Sequence, residues 1–347
     1  MKRPLLLVLL LGLAPASRAQ KPAVLPTIYG SDDRKDLYEA SPEHRKLAES
    51  VAAFLPKDKF TEVGKTGTWF FKVPPLEKIG TTPLCPEVRF RGQPSGSSCT
   101  ATLVAPRLVL TAAHCVVNDD VCAGHKIAFG YGMTIKNRWP TNFAAADLYD
   151  CSVVKTGYDH ESGIDWALVS LDRPVPPERA PLKIAEGATG DPGTKIFTIG
   201  TPAGLPLKVA GGATIRKARG ADFEADLDAL GGNSGGAVFA EGSAEIIGVV
   251  IRSGPSFGRE PFRDCVVPYV RSAEDVEKGG VVLTRTTKSS AFLPAYRKAV
   301  AAQAKDDADA AQKAADAKAG ADKAGEKTKS VIRATGWIPV DEWPGKK

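Results

Sequence analysis

Residues 99–115 read CTATLVAPRLVLTAAHC, and this stretch indicates the fold class most clearly. It holds short apolar and β-branched runs separated by a proline. Similar runs between Gly/Pro turns follow up to about residue 270: WALVSLDRPV, TKIFTIGTP, LKVAGGATIRKA, GGAVFA and EIIGVVIRSG. Several short strands at close spacing are typical of a β-barrel or sandwich. No strand–helix–strand alternation is visible, so we predict an all-β fold for this region.

Composition supports the same fold class. The 347 residues include 34 glycines and 26 prolines, which indicate many turns and short elements rather than a helical bundle. The 46 basic and 40 acidic residues give a net charge of +6 that is spread along the chain, so we expect no nucleic-acid partner. The content of 43% hydrophobic, 25% charged and 7% aromatic residues excludes collagen-like, coiled-coil and wholly disordered chains.

The first twenty residues, MKRPLLLVLLLGLAPASRAQ, predict export. Lys2 and Arg3 are followed by the apolar run 5–13 and a small-x-small cleavage site, which predicts a signal peptide over residues 1–19. A membrane anchor is less favoured, because spanning a bilayer needs about 20 apolar residues. We therefore expect no stable membrane insertion and a secreted protein, either extracellular or periplasmic.

Two flanking segments differ in texture from the β-rich region. Residues 20–84 read as an N-terminal arm or a pro-segment, with a helix predicted from Pro42 to Phe54 because Ser41 is a suitable cap. Residues 276–347 form a C-terminal extension rich in Ala, Lys and Asp, which is either a solvated helix or disordered. Trp337 and Trp343 leave open an attachment role for the extension.

Three segments carry residues suited to nucleophilic catalysis. They are LTAAHC with His114, GIDWAL with Asp165 and GGNSGG with Ser234. A hydroxyl needs an adjacent base at neutral pH, histidine can accept and return the proton, and a buried carboxylate fixes the imidazole tautomer. Glycines let the turn bend sharply, so the amides of Gly232 and Ser234 are predicted to bind a developing oxyanion.

Other carboxylates compete with Asp165 for the orienting role. The candidates are Asp150, Asp159 and Asp172. Asp165 is preferred because it begins an apolar strand, where a carboxylate is costly unless it has a buried partner. Asp159, beside His160, is expected to cap a turn.

The order of the residues excludes a second class of hydrolase. The turn around Ser234 also fits G-x-S-x-G, the nucleophile elbow of α/β-hydrolases. Those enzymes place the histidine after the serine, whereas the four histidines here, at positions 44, 114, 125 and 160, all precede it. An esterase of that class is therefore not expected.

These segments, in the order His, Asp, Ser, resemble those of trypsin-like serine proteases of the chymotrypsin fold, especially bacterial exported members with a GGNSGG segment. The resemblance covers about residues 85–270. It implies two antiparallel six-stranded β-barrels over a protease domain at 85–275, with the site between them. It also implies His114 as general base, Asp165 as orienting acid and Ser234 as nucleophile. Neither metal nor cofactor is implied, and we expect a monomer acting on protein or peptide substrates.

The six cysteines, at positions 85, 99, 115, 122, 151 and 265, allow 15 pairings in an oxidising compartment. A zinc site built from His114, Cys115, Cys122 and His125 is a less favoured alternative, because its spacing is not that of a usual finger. The family resemblance implies the pair Cys99–Cys115. With that pair taken, we pair Cys122 with Cys151 and Cys85 with Cys265.

Two positions depart from, or refine, the family pattern. Asn233 stands where digestive trypsin-like enzymes carry an aspartate that pairs with a new N-terminus, so we hypothesise that activity here is independent of that ion pair. Asp228, six residues before Ser234, and Ser253 on the opposing strand are predicted to contact substrate. A carboxylate at the base of the pocket would favour cleavage after Lys or Arg. The alternative is that Asp228 caps or braces its own loop.

The prediction is therefore a secreted serine endopeptidase that works through an acyl-enzyme, with Lys/Arg preference if Asp228 lies at the base of the pocket. The alternative function is an exported binding protein that keeps the fold without catalysis. Glutamyl endopeptidases of similar GGNSGS type carry a histidine where this chain has Val250, which lowers the expectation of a glutamate preference. Arg252, close by, complicates a cationic preference.

Overall fold

A computed structural model describes residues 27–187, 190–271 and 280–335. The predicted signal peptide and the two tryptophans of the C-terminal extension lie outside the described residues. None of the described helices has the length and apolar character needed to cross a membrane.

The described chain consists mainly of short strands with three α-helices. The strands are β1 Ile28–Tyr29, β2 Lys35–Asp36, β3 Val51–Pro56, β4 Phe60–Glu62, β5 Thr68–Phe71, β6 Lys78–Ile79, β7 Thr82–Pro83, β8 Thr100–Ala105, β9 Leu108–Thr111, β10 His125–Phe129, β11 Asn142–Ala144, β12 Leu148–Tyr149, β13 Cys151–Asp159, β14 Ile164–Leu171, β15 Lys195–Gly200, β16 Lys208–Arg219, β17 Asp222–Ala225, β18 Ala237–Ala240, β19 Ile246–Arg252, β20 Phe257–Arg259, β21 Val266–Pro268, β22 Val270–Arg271 and β23 Val281–Arg285. The helices are α1 Pro42–Ala48, α2 Asp119–Gly124 and α3 Phe292–Thr335.

Two large antiparallel sheets confirm the predicted all-β, two-barrel fold. The first has the order β12-β10-β3-β8-β9-β14-β13 and curls without closing. The second has the order β15-β18-β19-β23-β17-β16-β2, and pairing between β15 and β16 closes six of its strands into a barrel. Full closure leaves a barrel without free edges.

Strand β3 belongs to the interior of the first sheet. It pairs with β10 on one side and β8 on the other, and its first five residues are fully buried. Alternate side chains of a strand point to opposite faces. Phe54 accordingly packs in the main core, whereas Ala53 and Leu55 face a second apolar cluster under Phe71. The segment predicted as an arm or pro-segment thus supplies an interior strand.

The predicted boundaries at residues 84 and 275 therefore do not delimit the folded body. Strand β3 lies before the first boundary, and β23 lies after the second, paired with both β17 and β19. Strands from outside both predicted limits thus complete the two sheets.

The predicted helix from Pro42 to Phe54 is too long. It begins as expected, with the Ser41 hydroxyl accepting the His44 N–H at 3.2 Å, but it ends at Ala48. Residues 51–54 join β3 instead, because pairing with two neighbouring strands satisfies their backbone groups and buries both faces. Tertiary pairing overrides the local helical preference of the alanines.

The C-terminal extension contains a long helix, one of the two alternatives left open by its sequence. Helix α3 begins against the first sheet, where the Phe292 and Trp166 ring centroids lie 5.1 Å apart. The Tyr296 hydroxyl donates to Val104 O at 3.0 Å, and Ala299 is buried. The first two turns therefore anchor α3 to the body.

Three disulfides are present, and all three predicted pairs are confirmed. They are Cys85–Cys265, Cys99–Cys115 and Cys122–Cys151. The zinc alternative is wrong, because Cys115 and Cys122 are both oxidised and metal binding needs thiolates.

Candidate active site

His114 and Asp165 form a bidentate contact at the end of the first sheet. His114 lies in a short 3-10 turn, Ala113–Cys115, directly after β9, and Asp165 lies near the start of the neighbouring strand β14. The imidazole Nδ1 is 2.6 Å from Asp165 Oδ2, and the His114 backbone N–H donates to Oδ1 at 3.1 Å. Both carboxylate oxygens are therefore occupied by one residue, which fixes the carboxylate and the ring relative to each other.

Burial differs across this pair. The Asp165 side chain is 10% exposed and that of His114 is 36% exposed. A buried carboxylate beside Nδ1 requires the proton on that nitrogen and leaves Nε2 as the basic nitrogen. The geometry thus prepares the exposed edge of the imidazole to accept a proton.

Thr284 of the second barrel binds the backbone N–H of Asp165. The Asp165 N–H donates to Thr284 Oγ1 at 3.0 Å, and the same hydroxyl donates to Gly163 O at 2.7 Å. Thr284 is fully buried on β23. The backbone of Asp165 is therefore anchored to the second barrel, through a residue that no sequence motif marked, while its carboxylate is bound by His114 of the first sheet.

Ser234 lies in a tight turn that only glycine can form at two positions. Gly232 has φ +98° and Gly235 has φ +84°, which are left-handed values unfavourable for other residues. A Cβ at Gly235 would collide with Thr111 Oγ1 and with the Thr100 carbonyl. The glycines around Ser234 are thus explained by backbone conformation and by close contact with the first sheet.

The turn is held next to the histidine segment. Thr100 N–H donates to Ser234 O at 2.8 Å, and Cys115 Sγ lies 3.7 Å from the same oxygen. Cys115 follows His114 directly and is disulfide-bonded to Cys99, which precedes Thr100. The structure therefore brings the segments of all three predicted catalytic residues together.

The groups expected to act on substrate are not engaged within the described chain. Among the described residues, the amide N–H groups of Gly232 and Ser234 have no acceptor. The Ser234 hydroxyl likewise makes no hydrogen bond to His114 or to the residues beside it. Catalytic hydrogen bonds in sites without substrate are commonly long and tighten in the substrate complex. The two amides are available to an oxyanion.

The competing aspartates all have local structural partners. Asp159 accepts from the Glu161 N–H at 3.0 Å and from the Ser162 hydroxyl at 2.7 Å, which is the expected turn cap. Asp150 forms ion pairs with Lys57 at 2.8 Å and with Lys126 at 2.9 Å, and Asp172 pairs with Arg173 at 3.0 Å.

A cleft of about 200 Å³ opens beside His114. It is lined by His114, Tyr158, Asp159, His160, Gly163, Ile164, Asp165, Ile251 and Arg252. Arg252 Nη1 lies 3.1 Å from His160 Nε2 at its mouth. Because β19 and β14 supply two of its walls, the cleft lies between the barrels.

Asp228 is an anchor for the N-terminal segment in this structure. It is 3% exposed, and its two oxygens accept the backbone N–H groups of Tyr29 at 2.8 Å and Asp33 at 3.0 Å. The next residue, Ala229, donates its N–H to Thr27 O at 3.1 Å. Burial raises the pKa of Asp228 to about 8, despite the two N–H donors. The bracing alternative describes these contacts, although the braced element is residues 27–33 rather than its own loop.

Ser253 lies directly after β19 and is half-buried. Its hydroxyl lies 3.4 Å from the Gly254 carbonyl. The loop it begins continues to Ser256, whose Oγ accepts the Gly231 N–H at 2.9 Å. This loop is thus joined to the start of the Ser234 turn.

Comparison with known proteins gives one family and several structures. A family model described as Trypsin matches residues 78–262, which is more than half of the chain. No curated protein matches. A Glu endopeptidase solved in complex with MPD is 16% identical, with a TM-score of 0.43, and the alignment covers 79% of this chain and 99% of that one.

Two further structures are similar to a comparable degree. The active form of the Rv3671c protease from M. tuberculosis is 19% identical with a TM-score of 0.40, covering 82% of this chain and 93% of that one. HBP is 15% identical with a TM-score of 0.44, covering 74% of this chain and 92% of that one.

Proposed function

Because this chain belongs to the trypsin family, we propose that it is a serine endopeptidase in which Ser234 is the nucleophile, His114 the general base and Asp165 the orienting acid. The observation that carries the proposal is the bidentate contact between His114 and Asp165, with Nδ1 2.6 Å from Oδ2. This contact leaves Nε2 free to accept a proton, which a merely structural histidine does not require.

The proposed reaction proceeds in two halves. Ser234 Oγ attacks the peptide carbonyl carbon while its proton passes to His114 Nε2, and the carbonyl becomes an oxyanion. The C–N bond then breaks, the amine leaves with the proton from His114, and Ser234 holds the acyl group as an ester. Water attacks the ester with His114 again as base, which releases the acid and restores the serine hydroxyl. His114 accepts one proton and returns one proton in each half of the reaction, so it is neutral again at the end of each half.

Two backbone amides are proposed to stabilise the oxyanion. The Gly232 and Ser234 N–H groups have no partner among the described residues, and both belong to the turn that carries the nucleophile. Each donor of this kind is typically worth about 3–4 kcal/mol in the transition state. Because the turn that carries these amides is held to the first sheet by the Thr100 N–H on Ser234 O, they need little rearrangement when the oxyanion forms.

The proposed location is outside the cytoplasm, in the extracellular space or periplasm. The three disulfides support an oxidising compartment. The N-terminal sequence predicts the signal peptide that export would require. We propose a monomer that acts there on proteins or peptides.

Cleavage after Lys or Arg is the finer part of the proposal and rests on Asp228. Its carboxyl group is buried and receives two backbone N–H groups, so a cationic side chain could use it only if Tyr29 or Asp33 released it. Digestion of a peptide library by the mature protein tests this directly. Enrichment of Lys or Arg before the cut supports the preference, and no enrichment leaves Asp228 as an anchor alone.

Labelling with a fluorophosphonate tests the catalytic serine. We expect the full mature protein to be labelled, and Ser234→Ala to lose the label completely. Ser243→Ala is the matched control, since Ser243 lies in the exposed β18–β19 turn. Labelling that survives in Ser234→Ala, or no labelling of folded wild-type protein, contradicts the proposed function.

A further inference from the structure

The Gly232 carbonyl of the Ser234 turn is held by two buried threonine hydroxyls. The Gly232 carbonyl lies 2.9 Å from Thr100 Oγ1 and 2.9 Å from Thr201 Oγ1. The two threonine hydroxyls are 3.1 Å apart, and both residues are fully buried. Thr100 comes from β8 of the first sheet, and Thr201 directly follows β15 of the second. Each barrel therefore contributes one hydroxyl to the same carbonyl.

Thr100 uses every polar group it has. Its Oγ1 contacts Gly232 O, its N–H donates to Ser234 O at 2.8 Å, and its carbonyl accepts the Thr111 hydroxyl at 2.8 Å. Its Oγ1 also accepts the Thr201 N–H at 3.1 Å. One residue thus binds both ends of the three-residue segment 232–234.

Proton accounting favours Thr100 as the donor to Gly232. Each hydroxyl has a single proton. Ser97 donates its proton to Cys99 O at 2.9 Å and can therefore accept from Thr201 at 3.0 Å. When Thr201 donates to Ser97, the Thr100 proton is the one that remains for Gly232 O. When Thr201 turns to Gly232 O instead, the carbonyl can receive both protons.

The Gly232 and Ser234 carbonyls, both bound by Thr100, flank the peptide unit that supplies a proposed oxyanion donor. Ser234 N–H belongs to the peptide unit between Asn233 and Ser234, and the two clamped carbonyls belong to the units on either side of it. The Gly232 carbonyl also fixes the residue that supplies the second N–H. Because Gly232 has φ +98° and little intrinsic conformational preference, an external contact is needed to hold this orientation.

We propose that Thr100, assisted by Thr201, is a positioning residue that keeps the Gly232 and Ser234 amides aimed at the oxyanion. This inference rests on the proposed function. Positioning of this kind needs no charged side chain at position 233, because uncharged hydrogen bonds from Thr100 attach the turn to the first sheet. A purely structural role for the buried threonines would affect stability but not the chemical step.

Valine substitution separates these two roles, because it keeps the shape of threonine and removes only the hydroxyl. In the full mature protein, we expect Thr100→Val to lower kcat about 10- to 100-fold with KM changed less than about twofold, since one misaligned oxyanion donor costs at most about 10²–10³. Thr201→Val should give a smaller fall. Thr100→Ser, which restores a hydroxyl, should recover most of the lost kcat.

The matched control is Thr198→Val. Thr198 is buried on β15, and its hydroxyl donates to Ala237 O at 2.8 Å rather than to the Gly232 or Ser234 carbonyl. This variant should lose stability and keep kcat. Affinity for a peptide aldehyde, whose adduct carries the oxyanion, should fall in Thr100→Val in step with kcat.

The outcomes distinguish failure of the positioning role of Thr100 and Thr201, called the clamp here, from failure of the proposed function. If wild-type protein is folded but neither cleaves peptide nor reacts with fluorophosphonate, the proposed function is wrong. If the wild type is active and Thr100→Val and Thr201→Val keep full kcat, the clamp is wrong. Should Thr100→Val fail to fold, Thr201→Val with unchanged kcat and unchanged aldehyde affinity overturns the proposal, and a selective fall in both supports it.

Discussion

Replacement of Asp165 by asparagine gives the sharpest test of the proposed triad. The His114 backbone N–H points at Oδ1 from 3.1 Å and is a fixed donor, so the asparagine oxygen will turn towards it. The asparagine NH₂ then faces His114 Nδ1, at the position where Oδ2 now lies 2.6 Å away. Since that NH₂ can only donate, Nδ1 must give up its proton and the imidazole must carry it on Nε2. An Nε2–H imidazole cannot accept a proton from Ser234.

We therefore expect Asp165→Asn to lower kcat by about 10⁴-fold, which corresponds to about 5.4 kcal/mol. The fold should be kept, because the buried amide retains the backbone contact and introduces no charge. The assay is steady-state peptide hydrolysis near pH 7, with circular dichroism and thermal unfolding as checks on the fold.

Asp159→Asn is the matched control, because Asp159 lines the same cleft but only caps the turn at Ser162. We expect kcat within about twofold of wild type for this variant, since the Asp159 carboxylate is bound to Glu161 and Ser162 of its own turn and not to His114 or Asp165. The reasoning is refuted if Asp165→Asn keeps more than a tenth of wild-type kcat, or if Asp159→Asn loses as much.

Three further predictions follow from the glycine turn, the disulfides and the buried carboxyl. Gly235→Ala should abolish fluorophosphonate labelling and destabilise the protein, because φ is +84° and the new Cβ would collide with the Thr100 carbonyl; full labelling would contradict this. Replacing Cys99 and Cys115 together by alanine should cost about 3 kcal/mol of unfolding free energy in a denaturant titration, from the 16-residue separation; an unchanged midpoint would refute it. Asp228 has its pKa raised to about 8, so the folded state binds a proton more tightly than the unfolded state. The stability of wild type relative to Asp228→Asn should therefore fall as pH rises from about 4 to 8, and a rise would show that the carboxylate is stabilised as an anion.

The motifs that could be predicted from sequence are those whose residues are neighbours in the chain. His114 follows an apolar strand directly, and the glycines needed by the Ser234 turn are adjacent to it. The contacts that support them come from far away and leave no local pattern. Thr284 is 119 residues from Asp165, and Thr100 is 132 residues from Gly232.

Two features of the structure could not be predicted from local sequence, for the same physical reason. Residues 51–54 look helical beside Pro42 because alanine is a good helix former, and only pairing with β8 and β10 makes them a strand. Asp228 occupies a position that predicts a substrate contact, but whether its carboxyl is open depends on Tyr29, 199 residues earlier. Local sequence cannot encode which distant backbone amide will occupy an oxygen.

The position of β3 has a practical consequence for recombinant work. A gene fragment trimmed to residues 78–262, the span of the family match, would encode neither β3, an interior strand of the first sheet, nor β23, which lies between β17 and β19 in the second. Two unpaired gaps would then expose backbone edges that attract other chains. Such a fragment should collect in inclusion bodies, whereas expression from residue 20 through α3 keeps both sheets whole.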